Sequence, residues 1–214
     1  MKTSELIALM TAVDSSPVSP ISPGRRLAMA GLLGVIVALA ALALTLGLQP
    51  LAAAAHASWF WMKAGYSLSM AVCGLLLLRR LARPGAAPGW AAIIIGVLAL
   101  AAMAMMAAHA SMRAPADHRG ALWLGQTWRM CSWRIVLLAI PTFAALIFAL
   151  RRLAPTRLAL AGAAAGLLAG GLSAAVYGLY CRESAAPFVV AWYSLGMAAC
   201  AFVGALLGPR LLRW

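Results

Sequence analysis

Apolar residues occur in six long runs, which short polar and basic segments separate. An α-helix needs about 20 residues to cross roughly 30 Å of hydrocarbon, and a lysine or arginine near its end can extend its charge to the headgroups. Two of the runs carry one such residue near their start, Lys63 and Arg134. The pattern therefore predicts an all-α membrane protein, a bundle of six transmembrane helices. We place the spans at about residues 27–48, 60–78, 90–109, 133–150, 158–180 and 188–208.

The first and fifth spans carry further signals. The first resembles a signal peptide, but its apolar run is longer than a signal-peptide core and starts far from Met1, so we expect a retained helix. In the fifth span, Gly162, Gly166 and Gly170 recur every four residues. Such a ridge of small residues lets a neighbouring helix approach closely, so it predicts helix packing.

Basic residues are unequally divided between the two sides of this bundle. With the N-terminus inside, eleven of the 17 lysines and arginines lie in inner segments. The six in outer segments are Lys63, Arg113, Arg119, Arg129, Arg134 and Arg182. Because inner loops carry the basic excess in bacterial membrane proteins, we expect cytoplasmic N- and C-termini, an inner-membrane location and periplasmic outer loops.

Composition narrows the class of protein further. Hydrophobic residues make up 65% of the 214, and only four residues are acidic, which excludes an ordinary soluble domain. The net charge of +13 is accounted for by topology and by attraction to anionic lipid. We therefore expect the lipid bilayer as a partner and no direct binding of nucleic acid.

Residues 1–26 form a cytoplasmic tail ahead of the membrane domain, residues 27–214. A short amphipathic helix is predicted at its start, followed by a linker rich in proline and serine. Two interpretations stay open from the pattern alone, a tail that touches the membrane surface and a helix that docks on a partner. The docking face would consist of Glu5, Leu6, Leu9, Met10 and Val13.

Two of the four cysteines are candidates for chemistry. Cys131 and Cys181 lie at the outer ends of the fourth and fifth spans, whereas Cys73 and Cys200 lie inside spans. In an oxidising periplasm the outer pair could form a structural disulfide, sense oxidants as thiols, or bind a soft metal ion. Three arginines would favour the thiolate form, and three histidines on the same side are possible further ligands. These residues are Arg129, Arg134 and Arg182, and His56, His109 and His118.

The sequence contains little that suggests catalysis. The predicted spans hold no acidic residue, and the usual hydrolase, metalloprotease and phosphate-binding motifs do not occur. We therefore do not expect an enzyme, and no cofactor is predicted beyond the possible metal ion. A small membrane transporter or metal-handling protein with a structural periplasmic disulfide is the alternative function.

Several segments together resemble the NrsF-like membrane anti-sigma factors. They are the tail from Glu5-Leu6-Ile7 through Pro17-Val18 to Arg25-Arg26, the Cys131 loop, Cys181-x-Glu183-Ser184-x-x-Pro187-Phe188, and Trp192-Tyr193-x-Leu195-Gly196-Met197. The resemblance implies a six-span protein that restrains an ECF-type sigma factor through its tail. It also implies that Cys131 and Cys181 sense metal or oxidant stress. Ser19 and Ser22 depart from the family pattern, in which basic residues are frequent at these positions.

Overall fold

The fold is built from helices. The computed structural model describes residues 22–45, 47, 56–83, 89–153 and 155–213, and every regular element in those ranges is helical. Six helices are long and apolar enough to cross a membrane, which confirms the predicted number. The helices are α1 (Pro23–Thr45), α2 (Ser58–Leu81), α3 (Trp90–Arg113), α4 (Arg119–Leu124), α5 (Trp128–Arg151), α6 (Leu158–Gly178) and α7 (Ala186–Leu211).

The helix ends differ from the predicted spans mainly on the side of the two candidate cysteines. Helix α3 continues to Arg113 and α5 already begins at Trp128, whereas the spans were predicted to end at 109 and begin at 133. Polar and basic residues at a helix end keep helical backbone geometry after the apolar run has stopped, so hydropathy alone places such ends too far inward. The connection between the two helices is therefore shorter, and α4 occupies much of it.

Helix α6 is the centre of the bundle and packs against α2, α5 and α7. Its glycine ridge allows the backbone of α7 to approach the backbone of α6 closely. A Cβ atom on Gly166 would lie 2.1 Å from the carbonyl oxygen of Cys200, and one on Gly162 would lie 2.1 Å from that of Gly204. Because real Cβ atoms do not approach an oxygen so closely, these two positions of α6 require glycine. The predicted packing role of the ridge is confirmed.

Helix α1, which the N-terminal tail precedes, packs along α5. Leu27, Ala38 and Leu42 form its buried face. The closest point is Gly34, where an added Cβ would lie 2.3 Å from the Cα atom of Thr142. The helix attached to the tail is thus in direct backbone contact with the helix that carries Cys131.

The two ends of the bundle differ in chemistry. We call the end at which α2 and α5 begin and α6 terminates the cysteine end, because it holds Cys131 and Cys181. The opposite end, which we call the arginine end, holds the arginine pairs of α1, α2 and α5. There the Arg151 Nε donates a hydrogen bond of 2.7 Å to the carbonyl oxygen of Leu211, which joins the ends of α5 and α7.

Candidate functional site

Cys131 and Cys181 lie in one buried cluster at the cysteine end. Cys131 is in the first turn of α5 and has no exposed surface, and Cys181, in the segment that follows α6, is 2% exposed. Both are free thiols, as are Cys73 and Cys200. The bundle thus brings together two cysteines that lie far apart in sequence. Since reactive cysteines are usually partly exposed, a reagent reaches this pair only when the cluster opens.

Lys63 is buried in the same place, which corrects the prediction that it reaches the headgroups. Its side chain is 1% exposed, and its Nζ donates hydrogen bonds of 2.6 Å to the carbonyl oxygen of Cys181 and 2.9 Å to that of Glu183. These two carbonyls lie in a non-helical segment and have no intrahelical donor, so the ammonium group supplies one. The ammonium also lies 4.4 Å from the centre of the Trp59 ring.

Glu183 connects the Cys181 segment to the start of α5. One carboxylate oxygen, Oε1, accepts hydrogen bonds from the backbone N–H of Gln126 at 2.8 Å and of Thr127 at 3.2 Å. It also accepts one from the Thr127 hydroxyl at 3.3 Å. A negative charge is favourable at a helix N-terminus, where backbone N–H groups lack partners. Lys63 and Glu183 therefore fix the segment to α2 and to α5, respectively.

Two buried tyrosines complete the surroundings of the thiols. The rings of Tyr177 and Tyr193 lie 6.0 Å apart, centre to centre. Both tyrosines belong to the same buried cluster as Cys131 and Cys181, and neither phenol oxygen has a hydrogen-bond partner within the described residues. The thiols and the phenols thus share one buried cluster, and the Lys63 ammonium is bound at the Cys181 carbonyl oxygen on its edge.

A short π-helix at the start of α7, Val189–Tyr193, adapts this helix to the site. The Ser132 hydroxyl donates a hydrogen bond of 2.7 Å to the carbonyl oxygen of Trp192. The Trp192 indole N–H in turn donates one of 2.8 Å to the carbonyl oxygen of Trp123 in α4. Because a π-turn leaves backbone groups without their usual α-helical partners, a side chain of α5 can bind there, next to Cys131.

A polar pocket of about 540 Å³ lies over the Cys181 side of the cluster. Backbone and side chains of the loop after α6 and of the turn before α5 form its walls, so it lies outside the apolar part of the bundle. Cys181 contributes to its wall, so this cavity leads from the surface toward a candidate cysteine. Its lining residues are Gln126, Thr127, Tyr180, Cys181, Arg182 and Glu183.

The three arginines predicted to favour the thiolate are placed differently. Arg129 lies 5.1 Å from the Trp128 ring centre and Arg134 lies 5.3 Å from that of Tyr180, while Arg182 is exposed at the rim of the pocket. Arginine stacks readily on aromatic faces, and here such stacking holds two of the three. The cation that contacts the Cys181 segment is instead Lys63, whose Nζ binds the carbonyl oxygen of Cys181.

The histidines do not join the cysteines. His56, His109 and His118 are exposed, and the Nδ1 of His118 lies 3.0 Å from a carboxylate oxygen of Asp117. In the described ranges no group of three or more histidine, cysteine, aspartate or glutamate side chains could hold a metal ion. The predicted ligand set of cysteines and histidines is therefore not assembled in this structure, and the two cysteines are close without them.

The predicted sigma-binding residues lie outside the described part of the chain. They are Glu5, Leu6, Leu9, Met10 and Val13. Their role stays a prediction, but the helix into which the tail continues, α1, has a defined place against α5.

Comparison with known proteins identifies the family. The family model described as "Negative regulator of sigma F" matches residues 12–214. The chain belongs to this NrsF family. It is 39% identical over 217 residues to the probable anti-sigma-F factor NrsF of Azospira oryzae and 39% identical over 218 residues to the anti-sigma-F factor NrsF of Caulobacter vibrioides. Each alignment covers all of both chains. No solved structure matches the chain.

NrsF membership decides between the functions that the sequence left open. The chain is a negative regulator of a sigma factor and not an enzyme, and a sigma factor is its partner. The regulator is therefore supported over the transporter. The site described above lies at the end of the bundle away from the start of α1, where the tail joins.

Sequence reasoning found the two cysteines but missed the residues that hold them. Lys63 could have been found as the single cation within its apolar run, because a charge inside a span is commonly functional or paired. Glu183 is the only acidic residue in the sequence after Asp117, and its rarity was also a sign that its charge is paired or functional. Tyr177 and Tyr193 carry no comparable signal, since tyrosine is common near membrane interfaces.

Proposed function

We propose that the chain is an inner-membrane anti-sigma factor that holds an ECF-type sigma factor through its N-terminal tail. Glu5, Leu6, Leu9, Met10 and Val13 form the binding face of the tail. The sigma factor is released when Cys131 and Cys181 react with an oxidant or a soft metal ion in the periplasm. The observation that carries this proposal is the burial of both thiols in one cluster. One of them, Cys131, lies on α5, which packs against α1, the helix that follows the tail.

The distribution of charge supports the orientation. The arginine end carries basic residues at the termini of α1, α2, α5 and α7, as the cytoplasmic side of a bacterial membrane protein does. The cysteine end holds the two acidic side chains that the structure describes, Asp117 and Glu183. With the arginine end inside, the N-terminal tail meets a cytoplasmic sigma factor, and the thiols lie on the side where disulfides persist.

The chemistry of the switch follows from the pair of thiols. In oxidation, a two-electron oxidant takes two electrons, both thiols lose their protons, and one S–S bond forms. In metal binding, both thiols release their protons and the two resulting thiolates ligate one soft ion. A disulfide requires a Cα separation of about 4.4–6.8 Å, and a shared metal ion likewise ties the two sulfur atoms together. Either reaction therefore fixes the start of α5 relative to the segment after α6.

The packing of α5 supplies a route from the thiols to the tail. Cys131 is in the first turn of α5, and the same helix contacts α1 at Gly34 and Thr142. Pro141 interrupts the backbone hydrogen bonds of α5 next to this contact, so a displacement at the start of the helix reaches the contact at a point where the helix can bend. Signalling requires that the tail has two states and that the reacted thiols favour the released one, because a signal shifts an equilibrium only by its differential affinity.

Expression of a sigma-dependent reporter tests the sensing residues. In cells exposed to oxidant or soft metal, we expect Cys131→Ser and Cys181→Ser to abolish induction while repression without stress stays intact. Cys73→Ser and Cys200→Ser are matched controls, since these buried cysteines lie in other helices, and they should respond normally. Normal induction in Cys131→Ser or Cys181→Ser would refute the sensing role.

The tail is tested in unstressed cells. Deletion of residues 1–14 should release the sigma factor constitutively, and Leu6→Asp with Leu9→Asp should do the same, because the charges disrupt an apolar docking face. Ala8→Asp places the same charge on the opposite face of the predicted helix and should still repress. If the chain without residues 1–14 still binds and restrains the sigma factor, the docking role is wrong.

A further inference from the structure

A second cavity lies at the arginine end, on the side of the bundle between α1 and α5. Its volume is about 640 Å³. Two arginines mark its mouth, one in α1 and one directly after the end of α5, and six apolar side chains line the rest. The lining residues are Arg26, Met29, Ala30, Leu33, Ala145, Phe148, Ala149 and Arg152. It shares no residue with the cysteine site.

The apolar part of this groove is open to the surroundings of the bundle. Met29, Leu33 and Phe148 are 56%, 60% and 64% exposed, respectively. Side chains of this kind on the flank of a membrane-spanning helix contact acyl chains, because lipid tails are as apolar as they are. The groove therefore offers a concave, hydrophobic channel that runs along the helices, of a size and shape suited to a chain of methylene groups.

The mouth of the groove is cationic. Arg26 is half-buried and Arg152 is exposed, with its guanidinium carbon 5.6 Å from the centre of the Phe148 ring. Among the residues that the structure describes, both acidic side chains, Asp117 and Glu183, belong to the opposite end of the bundle. An anion at this mouth therefore meets two guanidinium groups, which bind phosphate oxygens well, and no described carboxylate.

A cationic mouth above an apolar channel is complementary to one kind of molecule. We propose that the groove between α1 and α5 binds an anionic phospholipid, with its phosphate at Arg26 and Arg152 and an acyl chain along Met29, Leu33 and Phe148. Basic pockets between helices on the cytoplasmic side are typical sites of this type. The inference rests on the proposed membrane location and orientation, but it is independent of thiol sensing and of the tail's partner.

Such a lipid would act on the contact that links the tail to the bundle. It touches α1 and α5 together, on the arginine side of the Gly34–Thr142 contact, so it binds only when the two helices are packed. By linkage, a ligand that binds the packed form stabilises it. The lipid should therefore raise the thermal stability of the chain and hold the start of α1 in place.

The test uses the full chain, purified in a mild detergent and compared with two variants. The first variant, Arg26→Gln with Arg152→Gln, removes the charges at the mouth. The second, Arg157→Gln with Arg213→Gln, removes the same net charge from arginines that do not line the groove. Thermal unfolding is measured with added phosphatidylglycerol, phosphatidylcholine or inorganic phosphate, and native mass spectrometry counts the lipids that remain bound.

We expect phosphatidylglycerol to stabilise the wild-type chain and the second variant, and to bind both at a defined stoichiometry. An arginine near an anionic lipid adds roughly fivefold in affinity, so the first variant, which lacks two, should bind about 25-fold more weakly. Ala145→Leu, which fills the channel, should also weaken binding, whereas Ala108→Leu on the exposed face of α3 should not.

Three results would overturn this inference. Equal responses of the two arginine variants would mean that the effect is general charge attraction. Equal stabilisation by phosphatidylcholine or by inorganic phosphate would mean that the groove does not select an anionic phospholipid. A dimer that Ala145→Leu converts to a monomer would mean that a second copy of the chain covers the groove. None of these results bears on sigma-factor binding, which the reporter assay measures separately.

Discussion

Replacement of Glu183 by alanine should loosen the cysteine end without unfolding the bundle. Its Oε1 accepts two backbone hydrogen bonds and one hydroxyl hydrogen bond at the start of α5. Hydrogen bonds to an ionised group are worth about 1.5–3 kcal/mol when buried. Because Glu183 is only partly buried, water replaces part of the loss, and we expect Glu183→Ala to cost about 2 kcal/mol. Glu183→Gln keeps the acceptor oxygen but not the charge, so it should cost about half as much.

Thiol labelling measures this loss where it occurs. Cys131 is fully buried, so a maleimide reaches it only through local opening, and the labelling rate follows the population of the open form. About 1.4 kcal/mol corresponds to a tenfold change, so Glu183→Ala should label Cys131 roughly 30-fold faster than wild type. Peptide mass spectrometry distinguishes Cys131 from the other cysteines.

Asp117→Ala is the matched control for charge. Asp117 is also an acidic residue at the cysteine end, but its carboxylate contacts only the exposed His118 in the part of the chain that the structure describes. Its replacement should leave the labelling rate of Cys131 within about twofold of wild type. If Glu183→Ala labels no faster than Asp117→Ala, the carboxylate does not hold the site closed and this reasoning fails.

Three further substitutions test the packing. Gly166→Ala should lower the free energy of unfolding by at least about 2 kcal/mol, or prevent accumulation of folded chain. The control Gly65→Ala, where the added methyl meets open space, should be neutral or stabilising by up to about 1 kcal/mol. Equal effects of the two variants would contradict the packing role of the glycine ridge. In Lys63→Met, both buried thiols should be labelled at least about tenfold faster, since two carbonyls lose their donor. An unchanged labelling rate would show that Lys63 does not hold the site closed. Gly34→Ala, whose added methyl meets the backbone of Thr142, should alter reporter repression. Normal repression with normal induction would contradict a route through α1.

The helices could be predicted from the sequence because their signal is local. Long apolar runs and their basic flanks determine the number of spans, and the spacing of Gly162, Gly166 and Gly170 predicts close packing of α6. The location of Cys131 and Cys181 at one end of the bundle also follows from topology, since consecutive spans alternate in direction. For these features, chain order and composition carry the information.

The hydrogen bonds by which Lys63 and Glu183 hold the site together could not be predicted, because the groups they bind are mainly backbone atoms. Lys63 binds two carbonyl oxygens of a segment more than a hundred positions away, and every residue has such an oxygen. Glu183 likewise binds N–H groups that no residue type marks. The arginines were assigned to the thiols by nearness in sequence, but the direction of α5 takes Arg129 and Arg134 to aromatic rings instead. Tertiary geometry, which the sequence pattern does not reveal, decided these contacts.

The most direct measurement of the central claim is sigma-factor release from the purified full chain in lipid nanodiscs. The complex is treated with a two-electron oxidant or a soft metal ion, and the bound sigma factor is quantified together with the state of each thiol. We expect release in proportion to the fraction of chains in which Cys131 and Cys181 have both reacted, and no release from the Cys131→Ser, Cys181→Ser double variant. If the sigma factor stays bound while both thiols are fully reacted, the cysteine end does not control the tail.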